Sequence, residues 1–280
     1  MYQLGEFKLH ILSDGLMRSD GGACFGVVPK VLWEKQIQAD LQNRIILGLN
    51  CLLIQSRDSN TLIDAGIGDK LNDKIKDRIQ ITRKRSFFEQ LENLNLKPED
   101  IHKVILTHLH YDHTGHCTKF NTSNQLEITF PNALYYVQDE EWQAAQHPDA
   151  RSKVGYFPEN FLLLERENKL VLLNGDVEII PGINVIKTGG HTAGHQVVTI
   201  TSNGKSACFL GDLIPTSSHI KIPYIASHDL YPVNSMTMKE KILTRAMKEN
   251  WLLFFEHSPN LVAGFLYKEE EKILVHKIMI

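Results

Sequence analysis

The feature that most limits the fold is a succession of short apolar runs, rich in β-branched and aromatic residues and each bounded by turn formers. Phe7 to Leu12, Ile45 to Gln55, Thr61 to Asp64, Lys103 to Thr107 and Ala133 to Val137 mark strands in the first half. Leu170 to Leu173, Val177 to Ile180, Ile183 to Lys187, Gln196 to Thr201, Ser206 to Leu210, Trp251 to Phe255 and Leu261 to Phe265 mark them in the second. Helical signals lie between. Ser86-Phe-Phe-Glu89 reads as a capping box ahead of the stripe Phe87, Leu91, Leu94, and Thr237-Met-Lys-Glu240 repeats the device ahead of Ile242, Leu243, Ala246 and Met247. A third helix is expected over Asp139 to Gln146. Many strands with interspersed helices predict a layered sandwich, two β layers inside and helices outside.

At 280 residues the chain reads as a single domain, 1–280, with residues 14–44 as a loop-rich excursion, a lid or dimer arm, and a homodimer as a possible assembly. A charged fraction of 22% and a formal net charge of -3, without a basic stripe, argue against a nucleic-acid surface; Arg83-Lys84-Arg85 reads as a solvated helix start. No apolar run of membrane-spanning length and no leader pattern are evident, so no membrane partner is expected. Cys24, Cys51, Cys117 and Cys208 form no C-x-x-C pair, which suits a reducing, cytoplasmic setting.

The chemistry concentrates in Thr107-His-Leu-His-Tyr-Asp-His-Thr-Gly-His116, which follows the apolar run KVIL. Alternate residues of an extended chain share a face, so His108 and His110 point together and can grip one metal ion. Asp112 and His113 arrive as the chain turns and can reach a second. Three further candidates also follow apolar strands: His191, Asp212 and His257. A carboxylate can bridge two ions, which makes Asp212 the natural shared ligand; His191 then completes the set of His108 and His110, and His257 that of Asp112 and His113. Imidazole and carboxylate ligands suit two divalent ions, zinc first, with manganese, iron or cobalt as alternatives. His116 and His195 read as supporting groups and Cys117 as packing; His10, His102, His147, His228 and His276 read as ordinary surface or core histidines.

With HLHYDH, GGHTAGH, the GD at 211 to 212 and His257 in order, the sequence resembles the metallo-β-lactamase superfamily. That resemblance implies an α+β, four-layer αββα sandwich and carries the same seven residues onto the metal positions. Asp212 stands where many zinc β-lactamases carry cysteine, and the cluster lacks the glutamate of flavodiiron relatives. A counterpart of the C-terminal domain of glyoxalase II is not evident after His257. SDGG-x-CFGVVPK-x-LW at 19 to 33, DLIPTSSH at 212 to 219 and DLYP at 229 to 232 are similar to quorum-quenching N-acyl-homoserine lactonases and to methyl parathion hydrolase. Lactonases place a tyrosine three residues after the bridging aspartate, where this chain has Pro215.

The expected reaction is hydrolysis of a small-molecule lactone or ester by metal-bound hydroxide, N-acyl-homoserine lactones first, with phosphotriester or aryl-ester hydrolysis as the alternative. Asp112 or His219 is expected to carry the proton to the leaving group, and Phe25, Val27, Trp33 and Tyr224 to form an apolar wall for an acyl chain.

Overall fold

In a computed structural model describing residues 1–280, two seven-stranded sheets organise the chain. The first half supplies β1 (Tyr2–Leu4), β2 (Phe7–Asp20), β3 (Arg44–Gln55), β4 (Asn60–Ile63), β5 (Lys103–Ile105), a separate hairpin of β6 (Thr118–Phe120) and β7 (Leu126–Ile128), then β8 (Leu134–Gln138) and β9 (Leu170–Leu173). The second half supplies β10 (Val177–Ile180), β11 (Ile183–Lys187), β12 (Gln196–Ser202), β13 (Lys205–Phe209), β14 (Leu252–Phe254), β15 (Ala263–Glu269) and β16 (Lys272–Lys277). The helices are α1 (Gly21–Phe25), α2 (Lys30–Trp33), α3 (Asp73–Ile79), α4 (Phe87–Glu92), α5 (Tyr111–Thr114), α6 (Asp139–Gln146), α7 (Pro158–Arg166) and α8 (Pro232–Glu249). One sheet runs β1-β2-β3-β4-β5-β8-β9 and the other β10 through β16 in order.

Strand alternation explains the layering. In β3, Leu52 and Ile54 enter a cluster shared by both sheets, packing with Val198, Phe209 and Phe254, while Cys51 and Leu53 face Phe87, Trp142 and Phe161 of α4, α6 and α7. The second sheet divides likewise: Leu252 and Phe254 point between the sheets, and Leu253 points outward with Val197 and Cys208 onto Ile242, Leu243 and Ala246 of α8. Strands buried on both faces read as continuous apolar runs, so the αββα order is a direct consequence of which residues face which way. No helix is long and apolar enough to cross a membrane.

Two expectations need correction. Residues 14–44 are loop only at 26–29 and 34–43: β2 continues to Asp20 through an irregularity between Ser13 and Leu16, where Gly15 takes a φ of 113° that disfavours any other residue. Asp20 then caps α1 by accepting from the Ala23 N–H at 2.8 Å, and Phe25 and Trp33 are buried in a core of their own with Ile45, Leu49 and Ile67. The Thr237 capping box does not form either. The helix starts at Pro232, whose fixed φ suits a first turn, and the Thr237 hydroxyl donates back to the Val233 carbonyl from inside it.

Candidate metal centre

The predicted ligands sit where strand ends of both sheets meet. After β5, the Thr107 N–H and hydroxyl both donate to buried Asp64, each at 2.7 Å, and this holds the turn that releases His108 and His110. Asp64 adopts a left-handed φ of 54°, a conformation a non-glycine residue keeps only when its surroundings enforce it. A single helical turn, α5, then presents Asp112 and His113. His191 lies in the turn between β11 and β12, Asp212 follows β13, and His257 follows β14. The sheets are tied together here, because the Gln196 N–H donates to the Thr107 carbonyl and the Gly48 N–H to the His257 carbonyl, both at 2.9 Å.

The seven side chains divide into two sets. His108 Nε2 lies 2.9 Å from His110 Nδ1, and His191 Nε2 lies 3.1 Å from the same atom. Asp112, His113 and His257 form the second set. Asp212 spans both: Oδ2 is 3.1 Å from His191 Nε2, while Oδ1 is 3.0 Å from His257 Nε2 and 3.7 Å from His113 Nε2. His113 Nε2 and Asp212 Oδ1 are buried without a properly aligned hydrogen bond. Buried polar atoms are costly when unpartnered, and atoms with lone pairs aimed at one shared space are the donor set a divalent cation needs. The residues therefore fit metal ions.

Four of the five histidines have the outer ring nitrogen occupied. His191 Nδ1 lies 2.9 Å from the Asp229 carboxylate, His257 Nδ1 2.8 Å from the Gly48 carbonyl and His113 Nδ1 3.0 Å from Asp64, so each Nε2 is free to face the centre. His108 Nδ1 meets the Thr107 hydroxyl at 3.1 Å. Burial, reinforced by neighbouring imidazoles, pushes the pKa of His108 and His110 well down. Burial acts the same way on the other three, but carboxyl groups outweigh it: Glu256, Asp112 and Asp212 at His113, Asp212 and Asp229 at His191, and chiefly Asp212 at His257, which is held at about 9. Asp212, despite burial, stays well below the usual carboxylate range because His257, His191 and His113 surround it. The carboxylates thus favour positive charge at His113, His191 and His257, while His108 and His110 are kept neutral.

The other predicted residues fare differently. Asp112 lines the cavity over the centre. His219 also borders it, yet both its ring nitrogens are engaged: Nε2 donates to the Cys24 carbonyl at 2.9 Å, and Nδ1 accepts from the Thr216 hydroxyl at 2.7 Å. Burial lowers its pKa to about 4, so the ring is neutral with its one proton committed, which does not fit a proton donor. The apolar wall is likewise a correction. Phe25 lies stacked between Trp33 and His219, with centroids at 5.1 and 4.3 Å, Tyr224 meets it edge-on, and none of the three lines the cavity. Val27, just beyond the α1 C-cap, is 92% exposed. These aromatic rings satisfy one another rather than a ligand.

Sequence reasoning missed four supporting residues. Asp64 ends an apolar strand as the ligands do, a signal that was present, and Asp229 lies within the DLYP segment. Glu256, beside His257, places Oε1 2.9 Å from His113 Nδ1. Glu141 of α6 left no signal at all: its buried carboxylate accepts from the Leu109 N–H at 3.0 Å and the Thr192 hydroxyl at 2.5 Å, joining the two histidine-bearing loops. His195 and His116 act as supports, His195 Nε2 accepting the Asp212 N–H at 3.0 Å and His116 Nε2 lying 3.2 Å from buried Asp14.

An αββα sandwich with this donor set at the meeting edge of its sheets defines a metal-dependent hydrolase. The chain belongs to the metallo-beta-lactamase superfamily, which it matches over residues 46–257. An N-acyl homoserine lactonase of a Bacillus species is 25% identical over 221 residues, spanning 74% of this chain and 80% of the relative. A probable metal-dependent hydrolase from Staphylococcus aureus superimposes with a TM-score of 0.90 at 33% identity, covering 100% of both chains. The dizinc quorum-quenching lactonase AidC superimposes with a TM-score of 0.80 at 19% identity, covering 100% of this chain and 97% of its own, a likeness of fold.

Proposed function

We propose that the chain hydrolyses lactone or carboxylic ester bonds at a centre of two divalent ions, zinc by preference, held by His108, His110 and His191 on one side, Asp112, His113 and His257 on the other, and Asp212 between. The observation that carries this reading is the division of the side chains about the two oxygens of Asp212. Such ions, when bound, supply a polarised carbonyl and a water acidic enough to attack near neutral pH. The protein's own part is positional. Asp229, Gly48 and Asp64 fix the tautomers that turn each Nε2 inward. Asp112, which lines the cavity and is not shared between the two ligand sets as Asp212 is, is the carboxylate we assign to hold a proton and pass it to the departing oxygen. N-acyl-homoserine lactones are the first substrates to test, by analogy with the Bacillus relative. Buried free cysteines suit a reducing cytoplasm as its place of action.

Pro215 favours a second reading. It lines the cavity where a phenol would serve a departing alkoxide, and an aryl phosphotriester, whose leaving group needs no proton, tolerates that substitution. Protein loaded with zinc, manganese or cobalt and assayed on lactones, aryl esters and phosphotriesters tests both readings. Lactone or ester turnover is expected. Efficient phosphotriester cleavage without it transfers the assignment to the second reading, and no turnover of any of them removes both.

A further inference from the structure

The cavity above the centre has a volume of about 660 Å³, and its charge is unlike that of the whole chain. The protein carries a formal net charge of -3, yet Arg18, Arg44, Arg78 and Arg151 all line this one space. They come from four separate segments: late β2, the start of β3, α3 and the loop after α6. Arg18 and Arg44 share a single carboxylate, Asp40, at 3.2 and 2.9 Å, so the pair leaves one positive charge uncompensated. Arg78 and Arg151 have no carboxylate within ion-pair distance. Arg151 is steadied by the Ser227 and Asp229 carbonyls, which are neutral acceptors and leave its charge unpaired. Among the acidic lining residues, Asp20 is held by the neutral donors Ala23 N–H and Asn43, so its charge offsets the one left over on Arg18 and Arg44, while Asp112 and Asp212 belong to the candidate metal centre; the charges of Arg78 and Arg151 remain.

We propose that the preferred substrate of this centre carries an anionic group, a carboxylate or phosphate, remote from the bond that is cut, and that Arg78 and Arg151 bind it. The proposal rests on reading the centre as a lactone or ester hydrolase. A concave site with a surplus of one sign of charge focuses its field and draws in the opposite sign, and guanidinium groups match carboxylate and phosphate oxygens two at a time. Met17, Leu47 and Ile79 line the same cavity and suit the methylenes that separate such a group from the scissile bond. The lining thus favours a charged acyl chain over the wholly apolar one that the sequence suggested.

The experiment compares aryl esters of matched chain length ending in a methyl, a carboxylate or a phosphate, with the corresponding non-hydrolysable amides titrated by calorimetry. The metallated full-length protein is expected to show kcat/KM higher by about tenfold for a charged ester than for the neutral one, since charge-assisted hydrogen bonds of this strength separate the two. That preference should shrink as salt rises, because screening acts over about 10 Å at 0.1 M. It should also collapse in Arg78→Gln with Arg151→Gln. The better of the two charged arms names the group. Equal kcat/KM for neutral and charged esters at low salt, or a preference that survives both substitutions, overturns the proposal. Amide binding separates the two failures: tight binding of a charged amide without turnover of any ester or lactone removes the hydrolase reading and leaves the arginine site standing.

Discussion

At His219 a histidine that sequence places beside the catalytic centre is held by packing: its ring is stacked on Phe25 and its single proton is given to the Cys24 carbonyl. Its pKa is about 4 in the fold against 6.5 in the unfolded chain, so the unfolded state binds the extra proton. Stability from this group is complete above pH 6.5 and is lost as pH falls toward about 4. His219→Gln is expected to flatten the pH dependence of the urea midpoint across that window relative to the unmodified protein; an unchanged slope would show that His219 is not held neutral. Asp212 is the opposite kind of residue, one whose two oxygens serve both ligand sets. Asp212→Ala should reduce bound metal from about two ions per chain to fewer than one, whereas His116→Ala and His195→Ala should retain more, as elemental analysis of metallated protein would report. Equal losses in all three would mean that Asp212 has no bridging role.

Among the elements, α6 matters more than its length suggests, because Glu141 joins the loop of His108 and His110 to the turn of His191. Glu141→Ala should weaken metal affinity by about 10–100-fold, as loss of an outer-shell partner commonly does, while Glu141→Gln keeps an acceptor for Leu109 and should lose less; competition with a metal-binding dye measures both. A similar constraint appears at Gly155, where an added Cβ would lie 2.6 Å from the His110 ring. How far such features can be read from sequence depends on whether they have a local period. The strands and the HLHYDH ligands were legible because apolar runs end in metal-binding residue types, and that pattern is local. α7, introduced by Pro158, and β16, among exposed residues of mixed character, were overlooked. Glu141 and the cavity arginines were invisible for another reason. Each is an ordinary surface-type residue in sequence, and it gains meaning only from partners tens of residues away. The supposed apolar wall failed in the reverse way: Phe25 and Trp33 are aromatic and near the site, but nothing local says that they face each other.

For the whole molecule, the interior between the sheets and the metal centre at their edge are two independent fastenings. Phe254, fully buried among residues of both sheets, tests the first: Phe254→Ala should cost about 3–5 kcal/mol in denaturant unfolding. Chelation tests the second. It should abolish hydrolysis and lower Tm together, with both restored by zinc, manganese or cobalt, since a ligand that binds only the folded state stabilises it; a Tm indifferent to chelator would show that the ions play no part in joining the sheets. The order of the ligands along the chain has its own consequence during synthesis. The Gly48 N–H near the start of β3 waits for the carbonyl of His257, and β14 can pair with β13 only after α8 has been made. A nascent chain therefore exposes the strand edge of β13 and six of the seven donors while the seventh is still inside the ribosome. Metal captured at that stage would meet an incomplete and solvent-open set, so the finished centre forms late, and a chain truncated before His257 is a candidate for aggregation and clearance rather than a slower enzyme.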